Sequence, residues 1–245
     1  MKGVVLAGGL GTRLYPLTKV TNKHLLPVFD KPMVYYPIQC LVNAGISDIL
    51  IVTGGNSAGH FLQLLGNGAE FGLQDVAYTY QQGEGGIADA LRLAKHFADG
   101  EPIVVVLGDN IIEGNIKAAV EQFRVQGTGA KILLKEVEDP QRFGVASVDA
   151  QGRVTRIVEK PKHPETNLAV IGIYMYDARV FDFIERLSPS ERGELEITDV
   201  NNFYLQDGSL TADVLEGWWT DAGTFESLFR ASALVREGGA NRMDV

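Results

Sequence analysis

Five consecutive aliphatic residues, Ile103-Val104-Val105-Val106-Leu107, run directly into Gly108-Asp109-Asn110. A strand that is apolar on both faces needs covering on both faces, which a sheet with one wet side does not provide. Shorter runs of the same kind occur at Val4–Leu6, Ile49–Val52 and Val76–Tyr80. Between them Met33–Val42, Phe61–Leu65 and Ile87–Phe97 carry apolar residues at helical spacing. The alternation predicts an α/β fold with a doubly wound, mainly parallel sheet and ligands at the carboxyl ends of its strands. Past about residue 110 the pattern changes. Phe143–Val148, a turn at Asp149-Ala150-Gln151-Gly152, and Val154–Val158 predict a β-hairpin. A strand at Val170–Tyr176, a helix near Ala178–Arg186 and a last helix from Thr224 to Arg236 follow. We read residues 1–245 as a single domain of two halves that share one mixed sheet.

The first strand opens into Leu6-Ala7-Gly8-Gly9-Leu10-Gly11-Thr12-Arg13-Leu14. Glycines at 8, 9 and 11 let backbone N–H groups approach an anion without a Cβ in the way. Arg13 adds a planar, permanently charged fork for phosphate oxygens. The spacing is neither that of a Walker loop nor that of a dinucleotide fingerprint, whose third glycine would fall at Leu14. A tight strand-to-helix turn is the plain alternative. With the loop read as a phosphate cradle, residues to about 110 form a nucleotide-binding half and the remainder an acceptor-binding half.

A formal charge of −9 argues against a general nucleic-acid binder, so anionic ligands must meet a local basic cluster. No run approaches the ~20 apolar residues of a membrane span, and no secretory h-region follows Met1-Lys2. The single cysteine, Cys40, is expected in the core of a cytoplasmic protein.

Asp109 stands just past the most apolar strand, where open α/β sheets keep their sites, although a capping or turn aspartate would look the same. Asp221, in Trp218-Trp219-Thr220-Asp221-Ala222-Gly223-Thr224, precedes a helix start that either it or Thr224 could cap. Two such carboxylates suit one Mg²⁺, which takes few carboxylates plus phosphate oxygens. No His/Cys spacing suggests zinc, and His24, His60, His96 and His163 show no catalytic pairing. Trp218 and Trp219 read as packing residues rather than base-stacking platforms. Glu159-Lys160-Pro161 ends the hairpin, either as a surface strand end or as acceptor and cation for a sugar phosphate. Lys23, in Asn22-Lys23-His24-Leu25-Leu26-Pro27, is a second cation near the glycine loop. The charge-dense Arg192–Asn201 also passes as a solvated helix start.

Taken in order, Leu6–Leu14, Lys23–Pro27, Asp30-Lys31-Pro32-Met33, Gln81, Gly85-Gly86-Ile87-Ala88, Leu107–Asn110, Arg142–Val145, Glu159–Pro161, Arg192–Asn201 and Trp219–Thr224 resemble the sugar-nucleotide pyrophosphorylases. Within them they are most similar to the glucose-1-phosphate thymidylyltransferases. The resemblance implies a Rossmann-like nucleotidyltransferase fold whose hairpin serves the sugar. It implies that Leu6, Gly8, Gly9, Gly11, Thr12, Arg13 and Asp109 hold the nucleoside triphosphate, while Gln81 and Gly86 meet its base. Asn110, Gly144, Glu159, Lys160, Val170 and Arg192 would line the sugar-phosphate site, and Asp109 with Asp221 would bind Mg²⁺. Phe143 stands where many members carry tyrosine. The chain ends at residue 245, soon after Asp221, where longer members continue into a helical subdomain with a second nucleotide site. We therefore expect inhibition by nucleotide sugars such as dTDP-rhamnose only at the active site.

The reaction so implied joins dTTP, or UTP, to glucose 1-phosphate and gives dTDP-glucose and pyrophosphate, in a protein expected to form homo-oligomers. Arg13, Lys23 and Lys160 are the expected catalytic cations. Two other readings stand beside it. A glycosyltransferase would commonly carry a D-x-D motif, which is missing. A catalytically dead nucleotide-sugar sensor would have lost Arg13, Asp109, Lys160 or Asp221, and all four are present.

Overall fold

Alternate residues of Ile103–Leu107 enter two different cores. Ile103 and Val105 pack with Val4, Leu6, Leu50 and Val52 on one face, while Val104 and Val106 pack with Val5, Ile49 and Ile51 on the other. Burying one such side chain contributes about 1.5–3 kcal/mol, so this run is fixed at the sheet's centre. The computed structural model describes residues 1–243. Among them, a nine-stranded sheet runs from one edge as Val154–Glu159, Gly144–Val148, Leu168–Tyr176, Ile103–Leu107, Lys2–Ala7, Asp48–Gly54 and Asp75–Gln81. The last four of these are parallel. Leu168–Tyr176 is antiparallel to Ile103–Leu107 and also pairs Ala130–Glu136, which in turn carries Leu210–Val214. The sheet is thus mixed and covered on both faces, as the apolar runs require.

The chain leaves Lys2–Ala7 toward Asp48–Gly54 and Asp75–Gln81, then returns to lay Ile103–Leu107 on the other side. This reversal opens a crevice at the carboxyl ends of Lys2–Ala7 and Ile103–Leu107, between Gly8 and Gly108. A small antiparallel ribbon of Asn110–Ile112 and Trp219–Asp221 lies beside it, with Asp221 opposite Asn110. The last helix, Phe225–Gly238, packs Ala231 and Val235 against Val28, Met33, Tyr36, Ile111 and Ala222. That packing anchors the ribbon from behind.

Several elements differ from expectation. The helical stretch Ile87–Phe97 forms two short helices, Ile87–Arg92 and Lys95–Ala98. Ala130–Glu136 has no clear strand signal because Lys131 and Lys135 interrupt its apolar residues. Lys131 is nevertheless buried, 2.7 Å from Asp213 and 2.9 Å from Gln122. Arg192 lies outside the following helix, which begins at Ile197. Cys40 is buried, as expected. Among the described residues no helix is long and apolar enough to cross a membrane.

Candidate active site

Gly11 adopts φ +68°, a left-handed turn that aims the short helical turn Thr12–Leu14 and its Arg13 back over the crevice. Gly8 is tight for a different reason. A Cβ there would lie 2.8 Å from Gln81 Oε1, so the loop passes directly against the end of Asp75–Gln81. Asn22 ties this loop down. Its Nδ2 donates to Ala7 O at 3.2 Å, and its Oδ1 accepts from His24 N at 2.9 Å and His24 Nδ1 at 2.7 Å. His24 is buried, and burial first, then the Lys23 charge, push its imidazole down to about 3. It is a neutral strut, which agrees with the absence of any catalytic pairing in the sequence.

Between Asn22 and His24, Lys23 points across the crevice to Asp109, Nζ to Oδ2 2.5 Å, and both side chains are largely buried. Asp109 Oδ1 accepts from Asn110 Nδ2 at 3.0 Å. Burial alone would push the Asp109 carboxyl up. The charges and hydrogen bonds around it, Lys23 foremost, outweigh that and hold it well below the usual carboxylate range. Asp221 has the opposite balance. Burial and the Asp109 charge push it up to about 6, against Arg142, Arg13 and Lys23. Arg142 Nη2 lies 3.1 Å from Asp221 Oδ2. The final helix needs nothing from Asp221, because Thr224 and Ser227 form a reciprocal capping box.

The hairpin supplies the opposite wall. Glu159 Oε2 accepts from Thr198 Oγ1 at 2.6 Å, and a Cβ on Gly144 would lie 2.9 Å from the same hydroxyl. Lys160 follows at φ +41°, its Nζ 3.5 Å from Glu159 Oε1. Arg192 is held by carboxylates: Nη2 is 2.7 Å from Glu196, 3.3 Å from Glu194 and 3.5 Å from Glu159. A phosphate reaching it must compete with all three. Asn110 is half wall and half strut, its Oδ1 accepting from Gly172 N at 2.9 Å and Trp219 Nε1 at 2.8 Å. Phe143 packs edge-on against Trp219 at 5.3 Å, with the Arg142 guanidinium 5.1 Å from its ring centre. Trp219 therefore packs within the site wall.

Leu6, Gly8, Gly9, Gly11, Thr12, Arg13, Lys23, Gln81, Gly86, Asp109, Asn110, Gly144, Glu159, Lys160, Val170, Arg192 and Asp221 all line one cleft of about 640 Å³. Sequence reasoning gave no role to Arg142, Thr198 or Asn22. No spacing links Arg142 to Asp221 or Thr198 to Glu159, because only the tertiary fold brings them together: Arg142 ends the short helical turn Pro140–Arg142 and Thr198 lies in the helix Ile197–Gln206. Asn22 carried a local signal, as a side-chain acceptor just before the turn Lys23–Leu25.

The cleft is basic along the glycine loop and mixed in charge along the hairpin. The chain belongs to the nucleotidyl transferase family, whose model matches residues 2–238. Among its relatives, the glucose-1-phosphate thymidylyltransferase of Neisseria meningitidis is 44% identical over 239 residues, covering 96% of this chain and 83% of that one. The enzyme of the same name from Xanthomonas campestris is 45% identical over 237 residues, covering 96% and 80%. A Bacillus anthracis structure, assigned as a glucose-1-phosphate thymidylyltransferase and solved with sucrose, is 52% identical with a TM-score of 0.92, covering 97% and 96%. A UDP-glucose pyrophosphorylase solved with UDP-glucose has a TM-score of 0.85 at 25% identity, covering 96% and 98%.

Proposed function

We propose that the enzyme joins dTTP and α-D-glucose 1-phosphate into dTDP-glucose and pyrophosphate. The observation that carries this reading is the single cleft between Arg13 and Lys23 on one wall and Glu159 and Lys160 on the other. The names of the relatives support the choice of substrates. A phosphate monoester has a second pKa of about 6, so the acceptor is mostly dianionic at neutral pH and needs no general base. What remains is to align two anions that repel each other and to stabilise the charge that spreads at the α-phosphorus. The glycine loop and Arg13 hold the triphosphate, and Lys23 meets the charge of the leaving pyrophosphate. Glu159 accepts sugar hydroxyl hydrogens while Lys160 draws in the sugar phosphate, whose oxygen attacks in line.

The donor set fits a divalent cation. Asp109 and Asp221 are close enough that the charge of one raises the other, and a cation between them would relieve that repulsion. Two carboxylates suit Mg²⁺, which would share them with phosphate oxygens. When bound, it would supply neutralisation of α-phosphate charge.

Pyrophosphate release with glucose 1-phosphate and Mg²⁺, measured across the nucleoside triphosphates, tests the reading. dTTP should be used best, UTP less well and purine triphosphates poorly. Absence of release with every triphosphate, or equal rates with ATP, would overturn it.

A further inference from the structure

The amide of Gln81 is held at its nitrogen end by two acceptors. Nε2 donates to Asp89 Oδ2 at 2.9 Å and to Gly86 O at 3.2 Å. An amide nitrogen carries two hydrogens, so both are engaged inside the protein. Oε1 is turned to the glycine loop, 2.8 Å from where a Cβ on Gly8 would sit. Asp89 is itself fixed. Its Oδ1 accepts from Arg92 Nη2 at 2.6 Å, and its Oδ2 occupies the space that a Cβ on Gly85 would enter at 2.5 Å.

A glutamine free to turn its amide presents either a donor or an acceptor. It could then read either pyrimidine, because N3 of thymine and uracil donates whereas N3 of cytosine accepts. We propose that Asp89 is a specificity-determining positioning residue, which pins the Gln81 nitrogen so that only the carbonyl oxygen faces the base. That oxygen takes the N3–H of thymine or uracil and opposes the N3 lone pair of cytosine, leaving two acceptors unpaired. The proposal rests on reading this cleft as a pyrimidine-nucleotide site. The same contact makes no distinction between dTTP and UTP.

The test compares kcat/KM for dTTP and dCTP, with glucose 1-phosphate as acceptor, in wild type, Asp89→Asn and Arg92→Ala. Wild type should favour dTTP by about 100-fold or more. Asp89→Asn offers a donor as well as an acceptor to Gln81, and should lower the dTTP/dCTP ratio about tenfold while the KM for glucose 1-phosphate stays unchanged. Arg92→Ala loosens Asp89 from an exposed position that the fold does not need, and should lower the ratio about two- to threefold. Both nucleotides are assayed on one preparation, so any unfolded fraction cancels. A merely structural role for Asp89 would slow both nucleotides equally. An unchanged ratio in every variant that folds, or a wild type that takes dCTP as readily as dTTP, overturns the proposal. A wild type that uses no pyrimidine triphosphate overturns the proposed function instead.

Discussion

Lys23 Nζ lies 2.5 Å from Asp109 Oδ2, across the crevice where the sheet reverses its winding. A pair this buried is weak support for the fold, because desolvation offsets most of its attraction. Its position at the mouth of the glycine loop gives it a better reason to exist. Each charge neutralises the other, and under the proposed function a triphosphate with its cation would give each a new partner. Lys23→Ala and Arg13→Ala should each lower kcat/KM for dTTP by about 10²–10³, the loss seen when one preorganised donor is removed. Steady-state pyrophosphate release on folded variants measures this, and a loss under threefold would remove either residue from the machinery.

In metal-free protein, Asp221 should oppose folding at neutral pH. Its carboxyl is pushed from 3.8 up to about 6, so the native state holds its proton to higher pH than the unfolded chain does. The stability tied to that proton is full below about 3.8 and is lost as pH rises through about 6. Asp221→Asn should therefore raise Tm in EDTA at pH 7.5, by at most about 3 kcal/mol of stability, while abolishing most Mg²⁺-dependent turnover. Calorimetry in EDTA showing a less stable variant would contradict a carboxyl raised by burial and by the Asp109 charge.

Much of this was legible in the sequence. The strands of the first half announce themselves because burial on both faces demands unbroken β-branched runs, and the glycine loop because a close backbone approach excludes side chains. Asp109 and Asp221 stand out in the sequence as strand-end carboxylates, but it takes the folded Thr224–Ser227 cap to exclude a capping role for Asp221. Ala130–Glu136 was illegible because a lysine on a buried face looks amphipathic unless its partner, Asp213, is known. Arg142 was illegible as a site residue because its partner Asp221 lies far away in sequence, on a strand that reaches the site by pairing with Asn110–Ile112. The carboxylate cage around Arg192 had the same cause only in part, since Glu194 and Glu196 are its sequence neighbours.

His24 should shape the acid limb of stability. Its imidazole is pushed from 6.5 down to about 3, so the unfolded chain binds a proton over a range where the native state does not. The stability it contributes is complete above about 6.5 and is lost as pH falls toward 3. His24→Gln should cost stability at pH 7 and show a shallower fall in Tm between pH 6.5 and 4 than wild type. Parallel Tm curves for the two proteins would refute a buried neutral His24.

Asn22→Ala should free the glycine loop from the Lys23 turn. The change leaves the buried His24 Nδ1 without its acceptor and Ala7 O without its side-chain donor, a loss of about 2 kcal/mol. Urea denaturation should show that loss, and the KM for dTTP should rise more than that for glucose 1-phosphate. An equal rise in both would mean that Asn22 does not act through the nucleotide loop.

The stereochemical course at the α-phosphorus tests the central claim most directly. Under the proposed function, the acceptor phosphate attacks the nucleotide itself, with no side chain serving as nucleophile. A single isomer of dTTP carrying sulfur on its α-phosphorus should react with glucose 1-phosphate to give product of inverted configuration, as one in-line displacement requires. Retention of configuration would demand two displacements through a nucleotidyl–enzyme bond and would contradict the mechanism.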